Sequence, residues 1–129
     1  MRVVAYGIHS SEKGVLAQAN HKKHDITLIS NVLSDETAFY AQGKLAVIDF
    51  SDDAVTGTTL QLLDSLGIKY LVHHSKVTSF AGYNAAQHGI VWANITLASY
   101  MVGVPYDALQ QAADQTILLL DEWQAHESK

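Results

Sequence analysis

The chain has 129 residues, 48% of them hydrophobic and 16% charged, with one proline and a formal net charge of −5, enough for a single globular domain around one core. The acidic balance, with Lys22-Lys23 as the only basic pair, excludes a nucleic-acid surface, which needs clustered Lys and Arg. With no cysteine there is no disulfide framework and no thiolate metal site. No apolar run reaches the roughly 18 residues of a membrane span, and Met1 to Gly7 is too short for a signal peptide, so a cytoplasmic protein is expected.

Arg2 to Ile8 is a compact apolar run that suits a strand buried on both faces. Ser10 and Ser11 can cap a helix over Glu12 to Asn20, with Val15, Leu16 and Ala19 toward the core. His21 to His24 breaks that pattern, and Asp25 to Ser30 alternates apolar residues at period two, as a second strand does. Ser34-Asp35-Glu36-Thr37 opens a further helix that stops near Gly43. Leu45 to Asp49 is a third strand ending in an acid. Ser51-Asp52-Asp53 caps a helix that carries Leu60, Leu63 and Leu66 inward and ends at Gly67.

Leu66 to Ile95 reads as strand, polar loop, short helix, glycine stop at Gly89 and strand, which is one βαβ unit. Its loop, His73 to Ser79, falls at the carboxyl edge of the sheet, where open α/β proteins bind ligands. Pro105 and Asp107 start a last helix with Leu109, Ala113, Thr116, Ile117, Leu120 and Trp123 on one stripe. Five alternations of strand and helix predict a flavodoxin-like doubly wound parallel sheet of order 2-1-3-4-5 in one domain covering 1–129.

The strand ends bring His9, Ser30, Asp49, His73, His74 and Asn94 to one rim. Three histidines and an acid could serve a metal or an acid–base pair, but solvated loop histidines are common and no His-x-x-x-His helix or paired acids fix a geometry, so no metal is expected. Neither Gly-x-Ser-x-Gly nor Gly-x-x-x-x-Gly-Lys-Ser/Thr occurs, so no nucleophile or phosphate loop is expected either. Gly7 to Gly14 offers no Gly-x-Gly-x-x-Gly for a dinucleotide. Gly57-Thr58-Thr59 lies inside a predicted helix, where its hydroxyls read as surface groups. A phospho-receiver reading, with Asp49 as acceptor, lacks the clustered carboxylates that a magnesium ion requires.

At the organising stretch the sequence resembles the D-lactate dehydrogenase branch of the D-isomer-specific 2-hydroxyacid dehydrogenases. The residues that carry the resemblance are Met1-Arg2-Val3-Val4-Ala5-Tyr6-Gly7-Ile8, Leu66-Gly67-Ile68-Lys69-Tyr70, Ala85-Ala86 and Gly89-Ile90-Val91 through Asn94. It implies a substrate domain over 1–95 joined to a returning helix over 105–125, without the NAD-binding domain that interrupts the family's chain at this point. It also aligns His73 to Ala81 with the family's substrate-carboxylate loop, with Lys76 in the place of a glycine. The family's catalytic arginine and glutamate belong to the absent domain, and its catalytic histidine is replaced near Ser99-Tyr100.

Together these readings predict a substrate-type domain without dehydrogenase activity by itself and with no catalytic residue assigned. It would bind a small 2-keto or 2-hydroxy acid through His73, His74, Ser75 and Lys76, with His9 and Ser10 opposite, or bind a protein partner. An anion held partly by protonated histidine would bind more weakly as pH rises through about 6.5, the ordinary histidine value. The alternatives are an oxidoreductase completed by a separate NAD-binding subunit, NAD entering only with that partner, and a receiver-like signalling domain built on Asp49. A homodimer is expected if the surface left without a neighbouring domain is apolar.

Overall fold

The computed structural model describes residues 1–50, 55–75, 85, 87–96 and 106–127, with only the backbone of Ser75, Thr96, Tyr106 and Asp107. The expected cap Ser51-Asp52-Asp53, the loop from Lys76 onward, Ser99-Tyr100 and Pro105 lie outside these residues. In chain order the elements are β1 (Arg2–Tyr6), α1 (Ser10–Asn20), β2 (Asp25–Leu28), a 3-10 turn (Ala38–Ala41), β3 (Ala46–Asp49), α2 (Gly57–Ser65), β4 (Tyr70–Ser75), β5 (Val91–Thr96) and α3 (Tyr106–Glu127). The strands form one parallel sheet in the order β2-β1-β3-β4-β5, the order that the alternating pattern predicts.

Alternate side chains of each strand point to opposite faces, and both faces are covered. On one face Val4, Tyr6, Val47 and Leu71 pack against Leu60 and Leu63 of α2 and against Leu33, Ala38 and Ala41. On the other, Val3, Ala5, Ala46, Ile48 and Tyr70 pack against Leu16 of α1 and Ile117 and Leu120 of α3. Each fully buried Leu or Ile contributes about 1.5–3 kcal/mol, so burial on two faces explains the unbroken apolar character of β1 and β3.

The segment 34–43 departs from expectation, because only one 3-10 turn forms there. Thr37 Oγ1 donates to the Val32 carbonyl at 2.7 Å and accepts from the Ser34 amide at 2.9 Å. Such side-chain bonds offer the backbone an alternative to a helix. The turn is held to the sheet by the Tyr6 hydroxyl, which donates to the Thr37 carbonyl at 2.8 Å and to the Ala38 carbonyl at 3.2 Å.

Helix α2 begins later than the sequence suggests. Thr56 is its N-cap, its hydroxyl oxygen accepting from the Thr59 amide at 3.2 Å. Thr59 is therefore not a surface hydroxyl: it is buried and donates to Asp35 Oδ1 at 2.6 Å.

Helix α3 lies across the sheet as its stripe predicts, with Ala112, Ala113, Thr116, Ile117 and Leu120 buried. Its C-terminal half is fastened by polar contacts. Trp123 stacks on Tyr70 with ring centroids 4.8 Å apart, and the Tyr70 hydroxyl donates to Glu127 Oε2 at 2.7 Å. Nearby, His24 Nε2 stands 2.8 Å from Asp121 Oδ1. Among the described residues, no helix is long and apolar enough to cross a membrane.

Candidate functional site

The sheet register sets Tyr6 beside Asp49, Asp49 beside His73 and His73 beside Asn94. Residues at one level of a parallel sheet share a face, so four polar side chains form a row near the carboxyl ends of β1, β3, β4 and β5. His73 is the centre of this row. Its Nε2 is 3.4 Å from Asp49 Oδ2, its Nδ1 is 3.2 Å from Asn94 Oδ1, and its ring tilts against Trp92 with centroids 5.1 Å apart. Asp49 is 1% exposed and His73 2%. An imidazole placed between a carboxylate and an amide is held in one orientation. Burial pushes the Tyr6 hydroxyl well above the ordinary tyrosine range, so it is a fixed donor.

The expected rim is only partly met. His9 and Ser10 are exposed at the start of α1. His73 and His74, expected in a loop, lie inside β4, which runs three residues further, to Ser75, than the hydropathy pattern indicates. The physical reason is register: His73 pairs beside Asn94 and His74 beside Ile95, so the ladder with β5 continues through both. Ser75 ends that ladder opposite Thr96, and Lys76 lies outside the described residues.

His74 faces away from His73, toward α1 and α3. Desolvation by burial, with a smaller effect from His73, pushes its pKa down to about 3, so it presents no positive charge to an anion near neutral pH. Its Nε2 is 2.9 Å from Thr116 Oγ1, whose single proton is directed at the Ala112 carbonyl at 2.7 Å. Thr116 must then accept, which assigns the His74 proton to Nε2. Phe50 covers the same ring, centroids 4.5 Å apart.

Glu12 is a neighbour that the sequence reading did not single out. It is 7% exposed, and its Oε1 accepts the His9 amide at 3.0 Å. Burial raises its pKa, against a smaller lowering by that amide. With His74, Phe50 and Leu109 it lines a cavity of about 10 Å³ between α1, α3 and the sheet, room for about one water. The available signal was the spacing His9-Ser10-Ser11-Glu12, a glutamate three residues after the cap. Asp49 sits against His73 at 1% exposure, a poor position for a phosphoryl acceptor. No three His, Asp or Glu side chains among the described residues are gathered for a metal.

No protein-family model matches the chain, and no curated protein matches it. Solved structures do. The D-lactate dehydrogenase of Escherichia coli superposes with a TM-score of 0.65 at 23% identity, over 74% of this chain and 31% of that one. D-2-hydroxyisocaproate dehydrogenase gives 0.65 at 19% identity over 77% and 31%, and the D-lactate dehydrogenase of Treponema pallidum 0.63 at 15% over 78% and 30%. The chain thus has the fold of one part of these enzymes and spans about 31% of the first one's length. The resemblance read in the sequence is met at the level of the fold.

Proposed function

We propose that this chain is a substrate-type domain of the D-2-hydroxyacid dehydrogenase kind. It binds a small 2-keto or 2-hydroxy acid at its carboxyl edge and transfers no hydride by itself. The observation that carries the reading is the polar row Asp49, His73 and Asn94 at the carboxyl ends of three adjacent strands, in a fold shared with part of D-lactate dehydrogenases. Ligands of open parallel sheets sit outside that edge.

On this reading the acid's carboxylate meets the amides and hydroxyl groups at the start of α1, near His9 and Ser10, where a helix has unpaired N–H groups and a positive dipole end. Glu12 already takes the His9 amide, which leaves Ser10 and Ser11 to face an anion. Lys76, which follows β4, supplies the positive charge that His74 does not, and the buried His73, held between Asp49 and Asn94, keeps the ends of β3, β4 and β5 together beneath the ligand. Hydride transfer needs cofactor, acid–base group and carboxylate clamp held together, and the sequence contains no dinucleotide fingerprint. A cofactor domain supplied by a partner or by another part of a longer protein would complete the chemistry.

Calorimetric titration with pyruvate and D-lactate at pH 5.5 and 7.5 tests the binding, and an NADH-oxidation assay with pyruvate tests the absence of turnover. We expect binding that weakens on Lys76→Ala and no NADH oxidation by the chain alone. No heat with either acid at either pH would remove these ligands. Pyruvate-dependent NADH oxidation lost on mutation of His73 would overturn the second half of the reading.

A further inference from the structure

The cavity between α1, α3 and the sheet has apolar walls, and Glu12 and His74 are the two polar side chains in its lining. The imidazole is buried, and its Nδ1 has no hydrogen-bond partner among the described residues. With the proton on Nε2, as the bond from Thr116 to the Ala112 carbonyl requires, Nδ1 is a bare acceptor. The Glu12 carboxylate, whose Oε1 takes the His9 amide, is also an acceptor only. Two acceptors that line one space cannot bond to each other, so a donor between them is needed. The cavity's volume of about 10 Å³ suits one water, which carries two O–H donors.

We propose that this cavity is a hydration site for a single water that donates one hydrogen to His74 Nδ1 and the other to the Glu12 carboxylate, and that Glu12 takes up a proton there in acid. The water completes a chain from the start of α1 to the backbone of α3. The His9 amide donates to Glu12, the water to Glu12 and to His74, His74 to Thr116, and Thr116 to the Ala112 carbonyl. An arriving proton bonds to the carboxylate oxygen beside the water. The new O–H donates to the water oxygen while the water keeps its bond to Nδ1, so neither side chain loses its partner.

Among the described residues, few charged groups surround this site. His9 stands at the start of the same helix as Glu12, and Lys13 beside it is exposed. α3 and the end of β3 present only Leu109, Ala112, Ala113 and Phe50, and His73 acts on His74 from the opposite face of β4. Burial favours the neutral form of both groups, raising the pKa of Glu12 and lowering that of His74 to about 3. The carboxylate therefore takes the proton before the imidazole does.

NMR of the Glu12 carboxyl carbon and the His74 ring nitrogens between pH 7 and 4 tests this, on the native chain and on Glu12→Gln. The variant keeps an oxygen for the His9 amide and cannot titrate, and circular dichroism checks its fold. Glu12 is expected to titrate above the ordinary glutamate value of about 4.3. His74 is expected to keep its proton on Nε2 throughout, with the Nδ1 signal moving at the Glu12 midpoint and the neighbouring Hε1 showing a nuclear Overhauser contact with a long-lived water. In Glu12→Gln the Nδ1 step is lost and the water contact remains. No water contact at Hε1 in the native chain overturns the hydration site. An Nδ1 signal that ignores the Glu12 midpoint, or a step that persists in Glu12→Gln, overturns the link between the two groups. The native titration is read by itself, so a variant that folds poorly leaves the proposal testable.

Discussion

His74 Nε2 lies 2.9 Å from Thr116 Oγ1, and this contact joins β4 to α3 inside the core. The pair sits on apolar surroundings, so the imidazole is held neutral, its pKa pushed down to about 3. In the unfolded chain an ordinary histidine titrates near 6.5. Between these values the unfolded state binds a proton that the folded state refuses. The contribution is therefore complete above about 6.5 and is lost as pH falls toward 3, at about 1.4 kcal/mol per pH unit. Urea denaturation of the native chain and of His74→Leu between pH 7 and 4 is expected to show a flatter acid limb in the variant. Parallel limbs would contradict a neutral His74.

Asn94 gives His73 its amide partner, at 3.2 Å. Asn94→Ala leaves a buried imidazole nitrogen without that bond, which costs about 1–3 kcal/mol. The denaturation midpoint is expected to fall with the slope unchanged, and the His73 ring signals to move in an NMR spectrum. An unchanged midpoint would mean that the row makes no net contribution to stability.

Asp121 ties α3 to the segment before β2, meeting His24 at 2.8 Å and Lys23 at 3.3 Å. Partial burial raises its pKa, but the hydrogen bonds from His24 and Lys23 outweigh this and leave it below the ordinary aspartate value. A depressed carboxylate stabilises the fold above its unfolded pKa and loses that effect as pH falls through the folded one. Asp121 is about a third exposed, so screening limits the contribution, and Asp121→Asn is expected to cost about 1 kcal/mol or less near neutral pH. The difference from the native chain should shrink in acid. A difference that grows there would contradict the assignment.

Much of this architecture is legible in the residues. The unbroken apolar runs at Val3–Tyr6 and Ala46–Ile48 and the stripe ending at Trp123 specify buried strands and an amphipathic helix, because burial pattern and period agree. The site is less legible. His73 and His74 are polar letters after an apolar run and so read as loop, whereas pairing with β5 carries the strand through them. Period-two alternation then sends one to the polar row and the other into the opposite core, a split that composition cannot reveal. Likewise the Thr37 hydroxyl takes the Ser34 amide and the Val32 carbonyl, a local arrangement that competes with a helix over 34–43.

Binding of a small 2-keto or 2-hydroxy acid at the carboxyl edge of the sheet is the proposal on which the functional reading depends. Titration of the ¹⁵N-labelled chain with pyruvate, followed by amide NMR shifts, tests it most directly. Binding there is expected to give saturable shifts confined to Gly7–Ser11, to His73–Lys76 and to Asn94, reduced in Lys76→Ala. Absence of shifts at saturating pyruvate, or shifts gathered on α2 or at the amino ends of the strands, would contradict it.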